Sequence, residues 1–253
     1  MREELAIQIA ELQQVHKGLT AIAETEKGTI LSGTLPFEAS ADGHSPITEC
    51  FEIDLIIPDN YSKSLPRVRE TGGKMDSNYD HIYEDGTLCL AVPIEERRLF
   101  SDQPTLLGFI NKLVIPYFFG YWHWKTHGTH PFDEAEHGAE GIVQHYMDTL
   151  ELSDELAALA VISFLYEHGY RGHHPCPCGS GLRVRKCHGP MLRDLHQHHT
   201  RQTLMLDFEA VFGICFKKFK DGELSFPKSL KIQILRILKN GQKIQALPEH
   251  RTG

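Results

Sequence analysis

No stretch of this 253-residue sequence approaches the ~20 consecutive apolar residues that a membrane-crossing helix requires, so a membrane partner is not expected. The opening Met-Arg-Glu-Glu-Leu-Ala-Ile carries acids at once and lacks the basic-then-apolar order of a secretory signal, so a cytoplasmic location is expected. A glycine-rich phosphate loop is also missing, and any adenylation must be done by another protein or bypassed. There is no internal repeat and no low-complexity run. Cysteines number only six, and in a reducing compartment metal binding or catalysis explains them better than disulfides.

What is present is an ordinary globular composition, 41% hydrophobic and 24% charged, in a chain too long for one typical domain. The net charge of -8 conceals an asymmetry. Residues 1–170 hold 11 Lys and Arg against 28 Asp and Glu, whereas residues 171–253 hold 15 against 6. Two modules are expected, 1–170 and 171–253, the second suited to nucleic acid or an acidic protein surface. Attraction between the two halves follows from the same electrostatics.

Leu5, Ile9 and Leu12 fall on one face of a helix over residues 2–16. Leu19 to Glu24, Thr29 to Phe37, Cys50 to Ile57 and Arg67 to Glu70 read as strands, with turns at Lys27-Gly28 and 40–46. In the third, Phe51, Ile53 and Leu55 alternate with Glu52 and Asp54, which sets one face on a core. Short connections imply an antiparallel meander. Pro104 and Thr105 open an apolar helix that Pro116 ends or kinks, followed by an aromatic, His-rich stretch at 118–131. Pro131 to Leu150 and Ser153 to His168 are predicted helices, the latter capped by Ser153 and stopped by Gly169. Leu204 to Phe219 and Ser229 to Lys239 form two more, and His196, His198 and His199 read as helix surface. Cys50 and Cys215 are expected in the core.

One loop stands out: His81-Ile-Tyr-Glu-Asp-Gly-Thr-Leu-Cys89-Leu, a single cysteine just after a glycine turn. From residue type alone a cysteine between Leu88 and Leu90 is better explained by packing than by reactivity. The order of helix, four-strand meander, cysteine loop and helices resembles the ubiquitin-conjugating (UBC) enzyme fold over roughly residues 1–168. The residues that carry the resemblance are Phe51 to Pro58 with Tyr61, Pro66-Arg-Val68, His81, Gly86-Thr-Leu-Cys89-Leu90 and Pro104-Thr-Leu106. Ile82 and Tyr83 stand where the eukaryotic pattern has Pro and Asn, so the asparagine that supports the oxyanion is missing. The pattern is more similar to divergent bacterial relatives, which occur with antiphage nucleotidyltransferase systems and other ubiquitin-like conjugation operons. The resemblance implies a catalytic Cys89 carrying a partner's C-terminus as a thioester. His81 is then the family-position residue, and His123, His127, His130 and His137 are candidates for base or loop-orienting roles.

Cys176-x-Cys178, eight intervening residues and Cys187-His188 supply three thiols and an imidazole, the inventory of a closed tetrahedral zinc site with a structural role. The segment from Pro175 to Gly189 also matches the SEC-C motif, named from the C-terminus of the SecA translocation ATPase. That match implies zinc at these four positions and a docking module.

The sequence therefore predicts an α+β protein, a UBC-like antiparallel meander with flanking helices followed by a small zinc-stabilised helical domain. Its expected activity is a ubiquitin-conjugating-like transfer from Cys89 to an amine. The expected partners are a ubiquitin-like protein or a cGAS-like nucleotidyltransferase of antiviral defence, and possession of a separate activating enzyme is left open. The alternative is a noncatalytic docking protein whose zinc-bearing basic tail grips nucleic acid or an acidic protein.

Overall fold

The computed structural model describes residues 3–40, 46–76, 78–130 and 138–245, with side chains described as far as Lys239. The turn expected at 40–46 and the start of the helix expected at Pro131 lie mostly outside the described residues. The chain divides into two compact units, Met1–Glu134 and Ala135–Gly253.

In the first unit, helix α1 (Glu3–Val15) precedes strands β1 (Leu19–Thr25), β2 (Gly28–Ala39), β3 (Ile47–Pro58) and β4 (Arg67–Glu70). The strands pair in sequence order, all antiparallel, giving the expected meander. Gly33 lies opposite Leu19 at a register irregularity, with φ of 148°. A β-carbon there would fall 2.0 Å from the Gly18 carbonyl oxygen, so only glycine permits this close approach.

Beyond the sheet run α2 (Pro93–Asp102), α3 (Leu106–Phe109), a π-helical turn (Ile110–Val114) and α4 (Ile115–His127). Helix α2 is not among the helices expected from sequence. Only Ile94 and Phe100 of its residues are buried, so it has no long apolar stripe, although Pro93 and Glu95–Glu96 are start signals. Pro116 does not end the next helix. Lacking an N–H it cannot bond the carbonyl four residues back, and the turn widens just before it, with Ile115 N–H donating to Ile110 O. The helix then continues through the aromatic, His-rich stretch as far as His127.

This helix and α1 cover one sheet face. Leu31, Leu35, Phe51, Ile53 and Leu55 are buried with Phe109, Ile110 and Phe118, and the Phe51 and Phe118 rings stack at 4.1 Å. Each such side chain contributes about 2–3 kcal/mol. Gln8 joins three elements, its Oε1 accepting from Leu106 N–H at 3.0 Å and from the Tyr61 hydroxyl at 2.8 Å. Cys50 is exposed rather than in the core, because it alternates with Phe51 and shares the outer face with Glu52.

In the second unit, α5 (Gly138–Leu150) and α6 (Glu155–His168) precede a 3₁₀ turn (Val184–Lys186), α7 (Gly189–His198), α8 (Arg201–Lys220) and α9 (Lys228–Gln245). Asp154 caps α6, its carboxylate accepting from Ala157 N–H at 2.9 Å. Helices α5, α8 and α9 all pack on α6, which explains why the contacts divide the chain at 134/135 and not near 171. Cys215 is buried as expected. His199 is buried too, not on a helix surface, because it ends α7 beside Asp207. Asp207 in turn accepts from the Tyr146 hydroxyl at 2.8 Å.

His16, at the end of α1, is buried, and its Nε2 has no hydrogen-bond partner among the described residues. Burial pushes its pKa below the ordinary 6.5, opposed by a hydrogen bond to Asn111. The unfolded chain therefore binds this proton more readily, so stability present above pH 6.5 falls as the pH drops below it. Denaturant unfolding between pH 7 and pH 5 should show a smaller loss of stability in His16→Gln than in the wild type.

Candidate functional site

The cysteine loop folds as a short hairpin laid along the outer edge of β4. Cys89 N–H donates to His81 O at 2.9 Å and Tyr83 N–H to Thr87 O at 2.8 Å, which sets Ile82 and Leu88 opposite one another. Gly86, with φ of 78°, makes the turn. Leu88 N–H then donates to Val68 O at 2.8 Å, joining the hairpin to the sheet. With Ile82 and Leu88 facing the core, period-two alternation puts His81, Tyr83 and Cys89 on the other face. Tyr83 is the diagonal neighbour of Cys89, within reach of a long aromatic side chain.

The tip is held by Asp85, which accepts from Thr87 Oγ1 at 2.6 Å and from Arg67 Nη1 at 2.8 Å. The Thr87 hydrogen bonds, aided by Arg67, hold the Asp85 carboxyl below the ordinary range. Both partners of the Arg67–Asp85 pair are about half exposed, so it contributes no more than about 1 kcal/mol. Burial of Leu88, worth about 2 kcal/mol, contributes more to fixing the hairpin.

Cys89 is half-buried. Burial pushes its thiol pKa up, a hydrogen bond from the Tyr83 hydroxyl pulls it down, and the charge of Glu96 raises it again. Tyr83 is 40% exposed, yet desolvation around its hydroxyl and that same bond to the sulfur hold it protonated. Glu96, in the first turn of α2, is half-buried, and burial lifts its carboxyl to about 7 against the opposing Ala91 N–H and the charges of Arg97 and Arg67. The site therefore combines a thiol, a phenol that donates to it and a carboxyl able to exchange a proton near neutrality. Tyr83 and Glu96 were not singled out from sequence. The spacing of residues 83, 87 and 89 around Gly86 was the available signal for Tyr83. Glu96 carried none, because α2 was not foreseen.

His81 acts on the loop through its backbone, its carbonyl accepting from both Cys89 N–H and the Tyr117 hydroxyl at 2.9 Å. Its ring lies 5.0 Å from Tyr79 and 5.4 Å from His130. His123 is buried, with Nδ1 2.7 Å from Thr129 O and its ring 4.6 Å from that of His127, so it closes the turn after α4. His137 lies outside the described residues.

In the second unit the donor atoms of Cys176, Cys178, Cys187 and His188 all lie within 4.8 Å of one another and could hold a metal ion. His188 Nδ1 is 3.3 Å from Cys176 Sγ and 3.2 Å from Cys187 Sγ, and Cys178 Sγ is 3.6 Å from Cys187 Sγ. A tetrahedron with metal–sulfur bonds of about 2.3 Å has edges of about 3.8 Å, so these donors fit a single small cation. Cys176 N–H donates to Leu182 O and Val184 N–H to His174 O, so backbone bonds close the knuckle. The other ring nitrogen of His188 lies 2.8 Å from Leu150 O, in the last turn of α5. That carbonyl has no partner within its own helix, and the bond to it fixes the tautomer that would leave Nδ1 free to bind a metal ion.

Comparison with protein-family models, curated proteins and solved structures finds no match to this chain.

Alkylation of Cys89 by iodoacetamide, followed peptide by peptide in a mass spectrometer, should depend on pH through these neighbours. Tyr83→Phe should move the half-maximal rate to higher pH, and Glu96→Gln should move it lower. A midpoint unmoved in both variants is the result that rejects this arrangement.

Proposed function

We propose that Cys89 is an acyl-carrying nucleophile, accepting the C-terminus of a partner protein as a thioester and passing it to an amine. The observation that carries this reading is the hairpin itself, which holds Cys89 beside the Tyr83 hydroxyl and within the field of Glu96. In the loading step the Cys89 thiolate attacks the carbonyl carbon of an adenylated C-terminus, and AMP departs as the sulfur–carbon bond forms. In transfer an amine attacks the same carbon, the carbon–sulfur bond breaks, and the sulfur leaves as thiolate. The proton lost by the amine passes to Glu96, whose pKa near 7 lets it accept and release one. Tyr83 supplies an O–H donor beside the reacting centre. The resemblance to conjugating enzymes points to a ubiquitin-like protein or a cGAS-like nucleotidyltransferase as the acyl donor, with adenylation by a separate protein.

We further infer that the four donors of the second unit hold zinc in a closed, structural site, since three thiolates and one imidazole leave no open position. A second reading has one observation in its favour. Burial raises the Cys89 pKa, which suits a packed thiol on a docking platform better than an activated one.

Intact-mass analysis of protein co-expressed with its genomic neighbours separates the two readings. The wild type should carry a thiol-labile adduct, Cys89→Ala none, and Cys89→Ser a thiol-stable ester. Copurification with a neighbour and no adduct in any variant would sink the carrier role and leave the platform. For the metal, elemental analysis should find about one zinc per chain, lost in Cys187→Ser together with much of the cooperative unfolding of residues 135–253.

A further inference from the structure

The end of α8 carries two aromatic rings that its packing leaves partly exposed. The buried stripe of this helix is Thr203, Leu204, Asp207, Phe208, Val211 and Cys215. Phe216 and Phe219, one turn apart, are each 40% exposed, and their rings lie 6.2 Å apart at 24°. An ammonium stands over each ring, Lys220 Nζ 5.1 Å from the Phe216 centroid and Lys231 Nζ of α9 5.8 Å from the Phe219 centroid, and the rings also pack on Phe212 at 5.5 Å and Phe226 at 5.4 Å respectively. Between residues 216 and 239 the chain has seven Lys and Arg against two acids. Lys218 turns the other way, to Glu155 of α6, while Lys217, Lys220, Lys228 and Lys231 are exposed.

An aromatic face paired with a cation repeats the two halves of a nucleotide, a flat base and the phosphate attached to it. Stacking on exposed rings is open only to unpaired bases, since in a duplex each base face is covered by its neighbour about 3.4 Å along the strand. Lysine supplies point charges with no fixed fork, which suits a backbone contact without base readout. An acidic peptide would satisfy the same lysines but offers no flat π-face to the rings. We propose that the exposed face formed by the end of α8 and the first turns of α9 binds single-stranded nucleic acid. Two bases stack on the exposed parts of Phe216 and Phe219, displacing the ammonium over each ring toward a phosphate, and phosphates are held by Lys217, Lys220, Lys228 and Lys231. This activity is independent of Cys89.

The test is fluorescence anisotropy of the full chain with a fluorescein-labelled 20-nucleotide oligothymidylate, the same oligonucleotide in duplex, and an acidic leucine-containing peptide. The single strand should bind tightest, with an affinity that falls as salt rises. Phe216→Ala and Phe219→Ala should each weaken it about tenfold or more at unchanged salt slope, and Phe219→Trp should retain it. Lys220→Glu should flatten the slope by about 0.7. The proposal is overturned if alanine at both rings leaves affinity intact, if duplex or peptide binds more tightly, or if no oligonucleotide binds at low salt. Retention by Phe219→Trp separates loss of stacking from loss of fold.

Discussion

One carbonyl group, that of His81, fixes the environment of Cys89. It accepts from the cysteine's own N–H on one side and from the Tyr117 hydroxyl on the other. The first bond sets the register of the hairpin, and the second ties that register to α4, whose aromatic residues are part of the core of the first unit. Because side chains alternate along a strand, a slip of one residue would bury Cys89 and expose Leu88. Burial of Leu88 and its bond to β4 oppose that slip. The position of the sulfur thus follows from apolar packing and backbone bonding, while the charges at the hairpin tip add little.

The second unit depends on a comparable contact. His188 gives one ring nitrogen to the cluster of thiols and the other to the last turn of α5. A cation there would bind more than a surface loop, since α5 packs on α6 and α8. The knuckle and the helical core are therefore coupled through one imidazole, and metal binding would add to the stability of the helices as well as of the knuckle.

Much of this was legible in the sequence where periodicity or spacing is strong. The alternation of Phe51, Ile53 and Leu55 located β3, and the Cys-x-Cys and Cys-His pairs located the cluster. Three features were hidden for physical reasons. Helix α2 has too few apolar residues to show a stripe. Pro116 disrupts one hydrogen bond, but a widened turn absorbs the loss and the helix continues. The change in charge near residue 171 marks a change in surface, whereas α5 and α6 join the later helices through buried faces that net charge does not report. Cys50 shows the limit of residue type, because its parity in β3 overrides the usual preference of cysteine for the interior.

The hairpin's seat on β4 also limits how an extended chain can be recognised. The outer edge of that strand is occupied along Val68 and Arg69, which pair with Leu88 and Thr87. An incoming tail cannot be added there as a further strand, so its backbone gains no ladder of hydrogen bonds beside the cysteine. Any discrimination among tails at this place would have to come from side chains and loop contacts, a mode in which single substitutions can change the preferred sequence while the sheet stays as it is.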